Sequence, residues 1–560
     1  MIRIPADTHR AFITGHASMR DRRRSMWPIW RELSQTYLPY RHPWLLDTKK
    51  NEKLELNDMY ITSEGLIALR TQTAGLMNGI TSPTRPWFTL GVGYDLDRLS
   101  IQSRKWLYTC QTIMYNVLAR SNFYNTMAMS YFDLGLLNIS GIQIFPDVKD
   151  VVRFQRYEVG EFYVKYDAKD RLVRYSREIL LSLEELRIEF GLENLPAAWQ
   201  EQYNNVQSRG SKRRIVHYVE RKDSSPELLR HPADRMEWRE VYWVASSDTD
   251  GSKFPDGEVL RIAGYKEQPA MFPRWSAELE YGASPAMDAL ADMRELGQLI
   301  LKKGVGLEKL IDPPMLVDDT LRNRPKSMMP GGRTYVTNLA NIVGAKPAYT
   351  VNIPIAEMRA DINEIKMSIR EIFHNDLFKM ISQLDTVRSA TEIDARREEK
   401  LVLLAHFLER FENEQLDPTI NRVFNICQRA GLFPDAPREL LNAEIEINYV
   451  SILTTAQRAL GTVPMERLLT MVGQVAGAEP SVLDIVDFDE FVYTYGREIG
   501  ANPTILRDAE QLKQRRALRE AQLAQLQASA TAATAIDSAK TLSETDTGGG
   551  VNALQRLLAS

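Results

Sequence analysis

The side chains that most often do chemistry are spread thinly along this chain. Its 560 residues include seven histidines (His9, His16, His42, His217, His231, His374 and His406) and two cysteines, Cys110 and Cys427. No histidine pair has HExxH spacing, none stands beside a cysteine, and the cysteines are far apart in sequence. That pattern supplies neither a metal-ligand set nor a disulfide framework, and it fits synthesis in a reducing compartment. Asp318 and Asp319 are adjacent carboxylates, but in a Pro-rich stretch they read more simply as solvated turn residues. A phosphate-cradling GxxxxGK[ST] loop and a GxSxG nucleophile elbow are both missing. The GVG triplets at 91–93 and 304–306 lack the third glycine and the strand-to-helix context of a dinucleotide site. Asn138, Ile139 and Ser140 match a glycosylation sequon but lie in apolar surroundings. The expectation is therefore no metal, no cofactor and no enzyme, with an unrecognised nuclease-type activity as the remoter alternative.

The bulk numbers agree. Hydrophobic residues make up 44% and charged residues 26%, with a net charge of −4, an ordinary balance for a globular chain. A net negative charge argues against a protein that grips nucleic acid over its whole surface. No apolar run approaches the length of a membrane span, and the N-terminus lacks a signal peptide's apolar region. As a soft prior, the length suggests about three or four domains.

The elements that would position any site divide into two halves. The first is α+β. "RDRRRSMWPIWRELSQTYLP" reads as a helix with Trp27 and Trp30 on one face, and the arginines at 22–24 read as its solvated start. Leu66, Leu69, Thr73, Leu76 and Ile80 recur at helical spacing, and further helices follow from about Ser103 and Tyr124. From 139 to 180 apolar and polar residues alternate, with turns at Pro146-Asp147 and at 168–170, the pattern of antiparallel sheet. "SLEELRIEFG" is a helix that interrupts the sheet, and strands resume at "RRIVHYVERK", "REVYWVAS" and "GEVLRIAGYKEQP".

From Ser284 onward the chain is nearly all helix, so the overall class is α+β, mainly α. Gly282 frees a turn, Ser284 can cap and Pro285 suits the first helical position. Met287, Leu290, Met293, Leu296 and Ile300 then form one apolar stripe, with Leu299 and Leu301 off it. A second helix carries Ile355, Met358, Ile362, Ile365, Ile369 and Ile372 at alternating spacings of three and four, a heptad seam. Between them lies a Pro- and Gly-rich insert, 311–352. Two rods joined by a compact insert make a stalk with a tip. A polar link follows, then a capping box at Ser389 and Glu392 opening a long helix with a kink or break at Pro418. Helical segments are expected at 455–476, 481–498 and about 504–530, and 531–560 reads as a disordered tail.

The order of these segments resembles the portal proteins of short-tailed bacteriophages, also called head-to-tail connector proteins. "GLMNGITSPTRPWFTL", "ARSNFYNTMAMSYFDLGLLNIS", "YEVGEFYVKYDAKDRLVRYSREI", "RWSAELEYGASPAMDAL", "DPPMLVDD" and "RSATEIDARREEK" carry the likeness, which covers roughly residues 15 to 525. It implies a ring, usually of twelve copies, at one capsid vertex of the virion. The ring is the channel for double-stranded DNA during packaging and ejection. Its implied partners are the terminase large subunit, tail adaptor proteins, and the major capsid and scaffold proteins, with no membrane contact. A different virion component, such as a tail tube or minor capsid protein, is the alternative.

The resemblance also assigns regions. Residues 1–283 and 391–454 would be the wing, 284–310 and 353–378 the two stem helices, 311–352 the clip, 379–390 the channel loop and 455–530 the crown. The stripe and the seam above would then pack the stem. Arg322, Arg324, Lys326 and Arg333 in the clip are candidates for motor, adaptor or DNA contact. Lys379, Met380, Ser382, Gln383, Thr386 and Arg388 are candidates for the channel loop. For each of these cations a solvated loop charge is the plain rival reading.

Overall fold

Alternating apolar residues with turn chemistry at both ends give the first half its sheets. The computed structural model describes residues 2–40, 56–57, 59–92, 100–224, 231–245, 257–278, 280–311, 315–317, 345–347, 354–382, 404–440, 445–450, 465, 468–477, 485–498 and 509–544. The chain forms two compact units, one built from residues 1–94 and 100–457 and one from 95–99 and 458–560.

The first unit opens with a short strand, β1 (Ile2–Arg3), and three helices, α1 (Ala6–Arg23), α2 (Trp27–Tyr37) and α3 (Glu64–Gly79). After β2 (Phe88–Val92) come α4 (Ile101–Arg120) and α5 (Phe123–Leu137). The sheet region follows as β3 (Gly141–Asp147), β4 (Val151–Tyr157), β5 (Phe162–Tyr166) and β6 (Leu172–Ser182). The β3–β4 turn is closed by Asp147, whose Oδ1 accepts the amides of Lys149 and Asp150 at 2.8 Å each. Asp167 does the same between β5 and β6, accepting the amides of Lys169 and Arg171 at 2.8 and 2.9 Å. Such Asx turns are why aspartate punctuates a run of strands.

Helix α6 (Leu183–Phe190) interrupts the sheet where the sequence places it. A capping box between Ser182 and Glu185 starts it, and Gly191 at φ 80° ends it. After α7 (Ala197–Asn204), the strands β7 (Lys212–Arg221), β8 (Trp238–Val244), β9 (Glu258–Val259), β10 (Arg261–Tyr265) and β11 (Ala270–Met271) complete this region. The main sheet is antiparallel in the order β10-β8-β7-β6-β5, and a smaller one runs β11-β3-β4.

Both faces of the main sheet are covered. Phe12 and Met19 of α1 pack with Tyr218 and Trp243, while Leu186 of α6 and Trp199 of α7 pack with Ile215 and Tyr242. Every residue of the central strand β8 is consequently buried. Its two charged residues are paired: Arg239 bonds Glu220, and Glu240 meets His217 Nε2 at 2.7 Å. Buried charge is tolerable only with such partners. Burial, the largest influence, moves His217 below its ordinary value despite Glu240, so the ring is held toward its neutral form.

The arginine run at 22–24 departs from the solvated reading. Arg23 is buried, donates through Nη1 to the carbonyls of Gly160 and Phe162 at 2.7 and 2.9 Å, and lies 3.9 Å from the centre of the Tyr163 ring. Charge runs are solvated only where the helix face permits, and this face lies on the sheet. Its neighbour Arg22 is exposed and pairs with Glu280.

The two cysteines, remote in sequence, are buried free thiols on helices α4 and α12 (Asp417–Arg429). Burial first, and neighbouring Cys427 second, push Cys110 up to about 12; burial pushes Cys427 up to about 11.

In the second unit, residues 468–476 are helical, followed by α13 (Phe488–Glu498) and α14 (Ala509–Glu544). The last helix runs past residue 530, well into the stretch read as a disordered tail. Its many alanines, with the highest helix propensity of any residue, sustain the helix, although its described side chains are exposed apart from half-buried Leu512. Among the described residues no helix is long and apolar enough to cross a membrane.

Candidate assembly surface

The paired rods begin at a turn that only glycine can make. Gly282 sits at φ 69°, and a Cβ there would lie 2.0 Å from the Ser276 carbonyl oxygen. The helix start is then tied to the body. Ser284 Oγ accepts the Met287 amide at 3.2 Å and donates to the Leu136 carbonyl at 3.0 Å. Tyr37 donates to the Ala286 carbonyl at 3.0 Å. The first rod is α8 (Pro285–Asp288) followed by α9 (Leu290–Ile311), and the second is α10 (Ile355–Ile372).

Leu290, Met293 and Leu296 of the stripe are buried in the same core as Ile362 and Ile369 of the seam and Trp30, Tyr37 and Leu69 of the body. Met287, Leu299, Ile300, Ile365 and Ile372 pack against that core while remaining partly exposed. Ile355 and Met358 are half-buried at the far end. Polar contacts pin the flanks. Ser368 donates to Asp292 at 2.6 Å, and buried Glu64 receives Arg370 at 2.7 Å with Lys366 at 3.6 Å. Arg294 meets Glu32 at 2.5 Å.

Exposure rises sharply along α9. Leu301 is 53% exposed, Val305 49% and Ile311 81%, while on α10 Met367, 61% exposed, is bare nearer the base, between Lys366 and Ser368. The base of the rod pair is therefore ordinary domain core, and its outer half presents bare apolar side chains. From sequence Leu301 is legible as a residue off the stripe, whereas Val305, Leu310 and Ile311 are marked by their apolar types alone.

Beyond the rods the structure differs from the expected single helix to 378. The chain turns at Phe373 and His374, the latter at φ 53°, and restarts as α11 (Asn375–Ser382). Leu377 and Phe378 of α11 are buried, and Phe378 lies over Gly75 of α3, where a Cβ would be 2.2 Å from its ring. A helix of eight residues is too short a run for its periodicity to reveal this second direction. Lys379, Met380 and Ser382 thus lie on a helix, with Lys379 exposed. Gln383, Thr386 and Arg388 lie outside the described residues, as do Arg322, Arg324, Lys326, Arg333 and the capping box at Ser389 and Glu392. Within the insert, β12 (Met315–Val317) pairs antiparallel with β13 (Ala345–Pro347).

The kink or break expected at Pro418 takes the form of a change of helix type, and the helix is not ended there. Residues 404–411 are α-helical, Glu412–Leu416 form a π-helical turn, and α12 continues from Asp417 with Pro418 in its first turn. Proline has no N–H for the carbonyl four residues back and its ring crowds that carbonyl. A wider turn relieves both problems without ending the helix. Glu414, inside it, accepts the Arg274 backbone amide at 2.8 Å and its side chain at 2.7 Å.

Among the described residues no three His, Cys, Asp or Glu side chains gather as metal ligands. The comparisons with known proteins decide the family. The description "Bacteriophage head to tail connecting protein" matches residues 10–506. The chain belongs to this head-to-tail connecting family. A "Probable portal protein" of Bordetella phage BPP-1 is 31% identical over 542 residues, covering 94% of each chain. The "Portal protein" of Salmonella phage epsilon15 is 30% identical over 541 residues, covering 95% of this chain and 94% of its own. As a member of the head-to-tail connecting family, the chain has a structural connector role.

Proposed function

We propose that copies of this chain close into a ring at one vertex of a phage capsid, around a channel through which double-stranded DNA enters and leaves. Residues 284–310 and 353–378, which hold the two rods, are its stem, the insert 311–352 its clip, and 379–390 its channel loop. The body before Ser284 with 391–454 is the wing, and 455–530 the crown. The observation that carries the reading is the two-sided rod pair: one side completes the chain's own core, and Leu301, Val305, Ile311 and Met367 stand bare. A second copy would remove that surface from water, and a heterologous contact repeated by a closing rotation makes a ring.

The remaining roles follow from membership of the connector family. The clip would meet the terminase large subunit during packaging and tail adaptors afterwards, and the wing the major capsid and scaffold proteins. DNA would pass without sequence recognition. A net charge of −4 per chain suits this, because each exposed channel cation is multiplied by the symmetry and would hold phosphates electrostatically. Mass measurement with electron microscopy tests the proposal. Twelve chains give an annular particle of about 770 kDa, whereas a single chain has 64.1 kDa. A protein that stays a single chain at all concentrations, including in virion extracts, would overturn it.

A further inference from the structure

The main sheet and the smaller sheet β11-β3-β4 are joined by polar groups that lie largely out of water. Gln143 of β3, wholly buried, donates to Tyr265 of β10 and accepts from Tyr175 of β6, each at 3.4 Å. Tyr265 donates in turn to Glu240 of β8 at 3.0 Å. Arg177 of β6 holds its guanidinium 4.1 Å from the centre of the Tyr157 ring on β4. One side chain ties these links together. His217 of β7 is wholly buried, with Glu240 2.7 Å from Nε2 and the Nε–H of Arg177 donating to Nδ1 at 3.2 Å.

A guanidinium can only donate, so Nδ1 must accept, and the ring proton sits on Nε2, donated to Glu240. The folded site therefore holds this histidine in one tautomer and in its neutral form. A second proton has only Nδ1 to go to, and there it meets the N–H of Arg177. Ring and guanidinium would then be adjacent cations sharing Glu240. Arg261 of β10 is a further positive neighbour, itself paired with Glu189 of α6 at 2.8 Å. Arg422 of α12 lies 5.0 Å from the centre of the Tyr265 ring and pairs with Glu267 at 3.4 Å. The phenols around the site are Tyr157, Tyr175, Tyr265 and Tyr242, the last stacked 4.3 Å from the His217 ring, and burial keeps all four neutral. Glu161, between β4 and β5, faces Arg177, and burial pushes its carboxyl upward.

We propose that His217 is a proton-sensitive joint: a proton taken from solvent at Nδ1 during local opening expels Arg177 and, through Tyr157, loosens the smaller sheet from the main one. Nδ1 gains an N–H bond and gives up the hydrogen bond it accepted, so the only reactant is the proton. Burial already holds the ring below its ordinary value of 6.5 against the pull of Glu240. With the folded value depressed, the joint is fully closed above 6.5 and gives way as pH falls toward the folded value. The device is independent of ring closure, because every residue in it belongs to one chain.

Hydrogen–deuterium exchange of the full chain, read by mass spectrometry from about pH 7.5 to about pH 5, tests it. After correction for intrinsic exchange, β4 (Val151–Tyr157) of the parent should open more readily by up to about tenfold per pH unit below 6.5. His217→Gln keeps an acceptor for Arg177 and a donor for Glu240 but cannot titrate, so its β4 should stay protected over the interval. Glu161 is present in both chains and cancels in the comparison. Parental protection of the variant at the upper end of the range establishes that it is folded. A second measurement needs no variant: exchange of the imidazole C2 hydrogens, also read by mass, gives the titration midpoint of His217 in the parent, which should lie below 6.5. Unchanged β4 protection in the acidified parent, equal loss in parent and folded His217→Gln, or a His217 midpoint at or above 6.5 would each overturn the assignment.

Discussion

Glu178 on β6 shows what a single side chain contributes here. Burial pushes its carboxyl upward, but hydrogen bonds from His16 at 3.1 Å and Arg214 at 2.9 Å, with their charge, outweigh it and hold the group at about 2. Its folded value is depressed, so the stabilisation is fully present above the unfolded value of about 4.5 and is lost as pH falls toward 2. The contribution at neutral pH is up to about 3 kcal/mol. Glu178→Gln should lower stability by about 1–3 kcal/mol at pH 7 and by nearly nothing at pH 2. Denaturant unfolding of parent and variant across that interval measures it, and parallel curves would refute the role. None of this was readable in advance. His16 and Glu178 are 162 residues apart, and nothing in their local sequence marks them as partners. The buried Arg23 escaped for the same reason: its neighbours suggest water, and only the docked sheet supplies its carbonyl acceptors.

At the scale of elements, the launch of the rod pair was legible because its chemistry is local. Gly282, Ser284 and Pro285 each state a backbone preference within a few residues. Gly282→Ala forces a Cβ against the Ser276 carbonyl at positive φ and should cost about 3 kcal/mol or more, seen as a drop in melting temperature. The seam is a different matter, because spacing gives a face without saying what covers it. Ile365 packs against the chain's own core, so a charge there would confuse misfolding with failed assembly. Leu301→Asp or Val305→Asp is the cleaner test. Either should leave the stability of the single chain within about 0.5 kcal/mol of the parent, yet sharply reduce ring yield in size-exclusion chromatography. Ile369→Asp, wholly buried, should unfold the chain instead. Rings at parental yield from both exposed variants would remove the outer half of α9 from the interface.

For the molecule as a whole, the alternation of buried base and bare tip on one pair of rods matters more than any single contact. A chain that leaves apolar rod surface uncovered is under thermodynamic pressure to associate, and the hydrophobic contribution grows with the area withdrawn from water. Ring formation should therefore be concentration-dependent, with a midpoint that mass photometry can follow. It should also tolerate added salt, because the exposed residues concerned are apolar; dissolution of rings by about 0.5 M salt would point to ion pairs between copies instead of apolar contact. The head-to-tail connecting family gives this association its biological setting, and the near-complete coverage of its relatives makes the setting apply to the whole chain.

The sequence by itself determined the class of the fold, the order of its helices and strands, the capped start of the rods and the family, since these rest on periodicity, turn chemistry and segment order. Tertiary structure alone decided that α1 and α6 with α7 sandwich the main sheet, that Arg23 is buried and that the chain turns at His374 to dock Phe378 over Gly75. It also decided that Pro418 is absorbed by a π-helical turn. The division has one physical cause. Backbone preferences and hydrophobic spacing act over a few residues and are written in order, whereas burial and charge pairing depend on groups that meet only after the chain has folded.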